Sequence, residues 1–97
     1  MSGFIVIHKD DNVLTALDSL QPSLDLLITT GHENQEIVTK ELIPFGHKCA
    51  IRDITKGDKV IKYGEIIGIA TEDIHPGEHV HVHNLRSIRG TIKEEPQ

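Results

Sequence analysis

The chain has 97 residues and a net charge of −5 with neutral histidines, so it has room for one domain and lacks the basic surplus of a general nucleic-acid binder. No apolar stretch approaches the roughly 18 residues of a membrane span, and no signal-like segment opens the chain. We therefore expect a cytoplasmic protein without nucleic-acid or membrane partners. It should form a single domain over residues 1–97, with its core at about 5–92 and a frayed polar tail at 93–97. Cys49, the one cysteine, lies in an apolar run and is expected to be a buried, inert thiol.

The first elements in chain order are a predicted strand and a predicted helix. Phe4–Ile7 is a short apolar run of strand-forming residues. Asp10 or Asp11 can cap a following helix, because a carboxylate accepts hydrogen bonds from the free N–H groups of a first helical turn. Apolar residues at helical spacing then predict one short helix, ended by Gln21-Pro22: Val13, Leu14, Leu17 and Leu20.

From residue 24 onward the pattern is one of short strands separated by turns. The predicted strands are 24–30, 37–43, 47–54, 59–63, 65–71, 79–84 and 88–92. Glycine and proline predict tight turns at 44–46, 56–58 and 75–78. His32 and His75 lie in polar turns and are interpreted as surface residues. Many short strands at such spacing predict a mainly β barrel, sandwich or clip.

The most distinctive chemical feature is the segment 79–84, in which three histidines are separated by valines. Side chains alternate between the faces of a strand, so His79, His81 and His83 are expected on one face and Val80 and Val82 in the core. Same-face neighbours lie about 6.5–7 Å apart, which lets two imidazoles reach one metal ion. Metal ligation, acid–base catalysis and binding of a carboxylate all stay open, beside a merely solvated strand face.

Three further segments contain candidate site residues. His8 lies where the first strand would meet a helix N-terminus, a place that attracts anions. Gly46-His47-Lys48 offers an acid–base group beside a cation, and Lys62-Tyr63 offers a cation and a phenol at a turn. Taken alone, each of these segments also fits a purely structural turn or cap.

Four segments of the chain, taken together, resemble the N-terminal SAF domain of the altronate dehydratase family. They are His8-Lys9-Asp10-Asp11-Asn12-Val13, Ile43-Pro44-Phe45-Gly46-His47-Lys48, Val60-Ile61-Lys62-Tyr63-Gly64-Glu65-Ile66-Ile67-Gly68 and Val80-His81-Val82-His83-Asn84. The resemblance runs from about Ile5 to Leu85. The ending of the last segment is similar to the altronate-like branch, which also includes the small subunit of sulfolactate sulfo-lyase.

The resemblance implies a β-clip fold and a lyase that removes water or sulfite from a hydroxy acid. It implies a divalent metal, with Fe²⁺ expected and Mn²⁺ or Zn²⁺ as alternatives. Full-length members carry a much larger part, which here would be a separate large lyase subunit. The residues that we expect in the site are His8, His47 and Lys48 in catalysis, Asn12, Lys62, Tyr63 and Asn84 in substrate binding, and His81 and His83 as metal ligands.

Three functions follow as competing hypotheses. In the first, the chain is the small subunit of a hydroxy-acid lyase and forms one wall of an active site shared with a large subunit. In the second, it is a module that binds a sugar acid or a metal ion without catalysis. In the third, it is a structural interaction domain whose histidines are replaceable. The sequence is also compatible with a homo-oligomer, and it leaves altronate and sulfolactate open as substrates.

Overall fold

The computed structural model describes residues 3–30 and 33–88, and every secondary-structure element assigned there is a β-strand. The strands are β1 (Phe4–Ile5), β2 (Val13–Ala16), β3 (Asp25–Thr30), β4 (Glu33–Val38), β5 (Lys48–Ala50), β6 (Lys59–Lys62), β7 (Glu65–Ala70), β8 (His79–Val80) and β9 (Leu85–Ser87). They form a four-stranded sheet in the order β1-β2-β5-β8, a hairpin β3-β4 and a three-stranded sheet β6-β7-β9, all antiparallel. The mainly β prediction is confirmed.

The segment expected to be a helix is instead the central strand β2. Val13–Ala16 pairs with β1 on one side and β5 on the other, and all four of its residues are buried. A strand covered on both faces shows no polar alternation, so its apolar residues can also match a helical stripe. The helix prediction is therefore wrong: Leu17 is 46% exposed, and Leu20 forms an isolated bridge with Ile43.

The core lies on both faces of the four-stranded sheet. Leu14 and Cys49 belong to one buried cluster, whereas Val13, Ala50 and Val80 belong to the other. This division follows from the alternation of side chains along β2 and β5. Cys49 is fully buried, as expected, and burial raises the pKa of its thiol to about 12, which keeps it protonated and unreactive.

The hairpin β3-β4 covers the first cluster with one face and meets solvent with the other. Leu26, Ile28 and Ile37 are buried, while Leu27 and Val38 are largely exposed. This is the alternation of a half-buried hairpin, and it confirms the strand predicted at 24–30. The second strand of the hairpin is Glu33–Val38, so the strand predicted at 37–43 is correct only for residues 37 and 38.

Four turns of similar form lead into strands. Each turn begins at an apolar residue, and its fourth residue has a positive φ. The first residues are Leu20, Ile43, Ile54 and Ile74, and the fourth are Ser23 (64°), Gly46 (83°), Gly57 (93°) and Gly77 (92°). The first residues of the turns pair through isolated bridges, Leu20 with Ile43 and Ile54 with Ile74. The turns predicted at 44–46, 56–58 and 75–78 are thus confirmed. The sequence predicted these turns one by one and did not indicate that they share a geometry.

The last expectations concern the C-terminal residues, two turn histidines and membrane-spanning segments. The strand predicted at 88–92 and the polar tail at 93–97 lie essentially outside the described residues, as does His32. His75 is exposed, as expected. Within the described residues no helix is long and apolar enough to span a membrane.

Candidate functional site

Three histidines from two distant segments form a cluster of donor nitrogens. Nδ1 of His47 lies 2.8 Å from Nε2 of His79, and the ring of His47 stacks on that of His81 with 4.0 Å between centroids. One donor nitrogen from each of the three residues lies within 4.8 Å of the other two. All three side chains are partly buried, so the cluster is open on one side.

The pairing of β5 with β8 brings these residues together. Lys48 pairs with Val80, and Cys49 with His79, so the antiparallel register places His47, just before β5, opposite His81, just after β8. His81 follows directly after the two-residue strand. The register of one short antiparallel pair therefore determines the geometry of the whole cluster.

The chain turns immediately after β8, so the predicted alternation over 79–84 is wrong beyond Val80. Val82 is 80% exposed and does not enter the core. The cause is Asn84, which is buried: its Oδ1 accepts a hydrogen bond from the N–H of His81 at 2.9 Å, and its Nδ2 donates to the carbonyl of His79 at 2.9 Å. Asn84, expected to bind substrate, thus uses its amide to hold the backbone of two clustered histidines.

The surroundings of His79 and His81 favour neutral imidazoles at these two positions. Burial, followed by the nearby histidines, lowers the pKa of His79 below its ordinary value, and burial followed by His47 and Lys48 does the same for His81. A neutral imidazole has a free lone pair, which is the form that binds a metal ion. The cluster is therefore suited to hold a cation of the transition series, for which nitrogen donors are preferred.

His83, expected as a metal ligand with His81, lies at the margin of this cluster. Its ring centroid is 5.3 Å from that of His79 and tilted by 43°, and its side chain is exposed. The three residues with converging donor nitrogens are His47, His79 and His81 instead.

A pocket of about 320 Å³ adjoins the cluster through His81. Lys48 and Lys62 supply its cations, and burial and the charge of Lys62 lower the pKa of Lys48. The remaining walls come from Ile67, Val82, Leu85 and Ser87. Two of the expected site residues, Lys48 and Lys62, are therefore brought together with a third, His81.

Of the remaining expected residues, Asn12 and His8 contact the β6-β7 hairpin, and Tyr63 lies in its turn. Asn12 donates from Nδ2 to the carbonyl of Lys59 at 2.9 Å, and its Oδ1 accepts from the N–H of Ile61 at 2.7 Å. The ring of His8 packs where a Cβ on Gly64 would be placed. Tyr63 has a φ of 56° in the hairpin turn, with the Nζ of Lys62 4.9 Å from its ring centroid.

Asp11 has a different role from the helix cap that was expected. It is buried, and its carboxylate accepts hydrogen bonds from the N–H groups of Ile7 at 3.3 Å, His8 at 3.1 Å and Gly64 at 2.8 Å. A buried carboxylate with three such donors fixes the turn before β2 and the hairpin turn beside it. It joins the segments 8–13 and 60–68, two of the four that carry the family resemblance.

The family of the chain follows from comparison with known proteins. Residues 2–88 match the family model of the altronate/galactarate dehydratase SAF domain. The chain belongs to this family. This SAF domain is 45% identical over 93 residues to the altronate dehydratase of Bacillus subtilis strain 168. The aligned region covers 96% of the chain but only 18% of that protein.

Two shorter relatives carry a different name. The SAF domain is 52% identical over 50 residues to the (2R)-sulfolactate sulfo-lyase subunit alpha of Chromohalobacter salexigens, covering 52% of the chain and 53% of that protein. It is 40% identical over 63 residues to the subunit of the same name from Paracoccus pantotrophus, covering 65% of the chain and 94% of that protein. The chain thus spans less than a fifth of the altronate dehydratase and a far larger share of the subunits.

The sequence did not predict that His47 and His79 lie together in one cluster of donor nitrogens. His79 was placed on the right face but not among the expected ligands, and His47 was expected to be catalytic by resemblance. The missing information is the register of β5 against β8, which joins residues about thirty positions apart. No local motif in the sequence gives that register.

Proposed function

We propose that this SAF domain is the small subunit of a hydroxy-acid lyase and contributes one wall of an active site completed by a larger chain. The observation that carries the proposal is the cluster of His47, His79 and His81 beside a pocket with two lysines. Family membership supports it, since the relatives are named as a dehydratase and as subunits of a sulfo-lyase.

The three imidazoles fit a divalent ion of the iron or zinc kind. Their donor nitrogens lie within 4.8 Å of one another, and nitrogen ligands suit iron and zinc better than manganese, which prefers oxygen. When bound, such an ion supplies Lewis-acid polarisation of the substrate's oxygen atoms. His47, His79 and His81 would hold it, and Asn84 would fix the backbone that carries two of them.

The reaction class is elimination next to a carboxylate. The hydrogen on carbon 2 leaves as a proton, hydroxide or sulfite leaves carbon 3 with the bonding electrons, and the resulting enol becomes a 2-oxo acid. Lys48 and Lys62 bind an acidic group of the substrate in the adjoining pocket, because their positive charges attract the negative charge of the acid. The groups that complete the reaction come from the larger chain.

The sulfo-lyase subunit is the second candidate within this proposal, and the identity of 52% over 50 residues to the subunit of Chromohalobacter salexigens supports it. The named sulfo-lyase subunits are matched over 53% and 94% of their lengths, whereas the altronate dehydratase of Bacillus subtilis is matched over 18%.

The test is to purify the tagged chain from its native cells without oxygen and to assay the captured complex on altronate and on (2R)-sulfolactate. We expect a larger chain in the complex, iron or zinc at one ion per SAF domain, and release of water or sulfite with formation of a 2-oxo acid. His47→Ala and His81→Ala are expected to lower both metal content and turnover at least 100-fold.

The matched control is His75→Ala, because His75 is an exposed histidine outside the cluster. It should leave metal content and turnover unchanged. If the chain is recovered alone and without activity, or if His47→Ala and His81→Ala complexes keep their metal and full turnover, the lyase-subunit proposal is wrong.

A further inference from the structure

The pocket beside the histidine cluster is cationic although the chain as a whole is acidic. The chain has a net charge of −5, yet Lys48 and Lys62 both line one pocket, and none of the described residues that line it is acidic. Within residues 3–30 and 33–88, no carboxylate oxygen lies within 4.0 Å of either lysine nitrogen. The two ammonium groups therefore line one pocket without a neutralising carboxylate among the described residues.

The other walls of the pocket limit the kind of ligand that fits. Ile67, Val82 and Leu85 are apolar, and within residues 3–30 and 33–88 Ser87 is the one lining residue with a hydroxyl group. A sugar-acid tail carries several hydroxyl groups, each of which loses its hydrogen bonds to water unless the wall replaces them. A short carbon chain ending in an anionic group makes use of the apolar walls and the two cations together.

We infer that this pocket binds the second anionic group, a sulfonate or a carboxylate, of a short 2-hydroxy acid whose first carboxylate lies towards the histidine cluster. The inference rests on the proposed function and narrows its substrate class to dianionic acids, in preference to polyhydroxylated monoacids. A sulfonate and a carboxylate would be bound in the same way, by two lysine charges that face one terminal anion. Lysine acts as a point charge rather than as a planar fork, so it accepts a tetrahedral sulfonate as readily as a flat carboxylate.

The inference is tested by isothermal titration of the full 97-residue chain, with and without Zn²⁺, with four acids. (2R)-Sulfolactate and malate carry a second acidic group, lactate lacks one, and gluconate has a polyol tail in its place. We expect both dianions to bind at least tenfold more tightly than lactate and gluconate. The difference between sulfolactate and malate then identifies which terminal anion is preferred.

The lysines are tested by charge removal and charge retention. Lys48→Gln and Lys62→Gln are each expected to weaken binding of the dianions at least tenfold and to leave lactate binding unchanged. Lys62→Arg should retain the preference because it retains the charge. Lys56→Gln is the matched control, since Lys56 is an exposed lysine that does not line the pocket.

Equal affinity for the four acids, tighter binding of gluconate, absence of binding by all four, or indifference to the lysine substitutions would overturn the inference. These outcomes are separable from failure of the proposed function. Zinc uptake by the histidines and turnover of the captured complex are measured without these titrations. A complex that holds its metal and dehydrates altronate, but whose SAF domain shows no preference for dianions, keeps the proposed function and removes the inference.

Discussion

At the scale of single residues, two buried threonines differ in whether their hydroxyl groups have partners. Thr15 is 9% exposed and its Oγ1 makes no hydrogen bond with the described part of the chain. Thr39 is 1% exposed; its hydroxyl donates to the carbonyl of Gln21 at 2.6 Å and accepts from the N–H of Leu24 at 2.8 Å. A buried polar group without a partner costs free energy, while a paired one does not.

Replacing each threonine by the isosteric valine should therefore change stability in opposite directions. We expect Thr15→Val to raise the free energy of unfolding by about 1 kcal/mol and Thr39→Val to lower it by about 1–3 kcal/mol, measured by urea denaturation. Each substitution serves as the control for the other, because both exchange a hydroxyl for a methyl group in a buried strand or turn. Destabilisation of similar size in both variants would show that the Thr15 hydroxyl has a partner in solution.

The histidines also differ in the direction of their pKa shifts. The hydrogen bond to Asp53, at 2.9 Å, raises the pKa of His75 above its ordinary value of 6.5, whereas burial lowers the pKa values of His79 and His81. Protonated His75 favours the folded state, so its stabilisation is present below pH 6.5 and is lost as the pH rises through the raised pKa.

Titration by NMR measures these values directly. We expect His75 to titrate above 6.5 and His79 and His81 below it. Asp53→Asn should lower the pKa of His75 and leave the two cluster histidines unchanged. If His75 titrates at or below its ordinary value in the unsubstituted chain, the ion pair with Asp53 does not form in solution.

At the scale of elements, the turns before β6 and β8 share a left-handed glycine but differ in the space around it. Gly57 has a φ of 93° and a Cβ there would meet nothing within 4 Å, whereas a Cβ on Gly77, at a φ of 92°, would collide with the carbonyl oxygen of Val38. Left-handed backbone costs a residue with a Cβ about 1–2 kcal/mol.

Alanine at these two positions therefore separates backbone strain from steric collision. Gly57→Ala should lower the free energy of unfolding by about 1–2 kcal/mol, the strain alone. Gly77→Ala should lower it by considerably more, because the hairpin strand that carries Val38 has to move as well. Equal losses in denaturant titrations of the two variants would mean that the hairpin moves away from Gly77 at no cost.

The strands also show which parts of the fold could be predicted from the sequence. Strands bounded by glycine turns, such as β6 and β7, were predicted to within a residue because the turn chemistry is local. β2 was assigned to a helix because burial on both faces removes the alternation that distinguishes a strand. The end of β8 was missed because Asn84 turns the chain through hydrogen bonds to the backbone, which no hydrophobic pattern records.

At the scale of the whole molecule, the site depends on contacts between segments far apart in sequence. Lys48 and Lys62 come from different sheets, and His47 meets His79 only through the pairing of β5 with β8. The types of residue in the site could be predicted from the sequence, since imidazoles and lysines suit an acid substrate and a metal. Which imidazoles converge could not, because that depends on a non-local strand register.

If the cluster binds a metal ion as proposed, metal binding and folding are coupled. His47, His79 and His81 lie together only in the folded chain, so an ion bound there stabilises the folded state by mass action. With zinc at about 100 times its dissociation constant, the free energy of unfolding should rise by about 2.7 kcal/mol, measured as a shift of the denaturant midpoint. His47→Ala, His79→Ala and His81→Ala should each abolish most of that shift, whereas His83→Ala, at the margin of the cluster, should retain it. A shift that survives all three cluster substitutions, or one that only His83→Ala removes, would place the ion elsewhere in the protein.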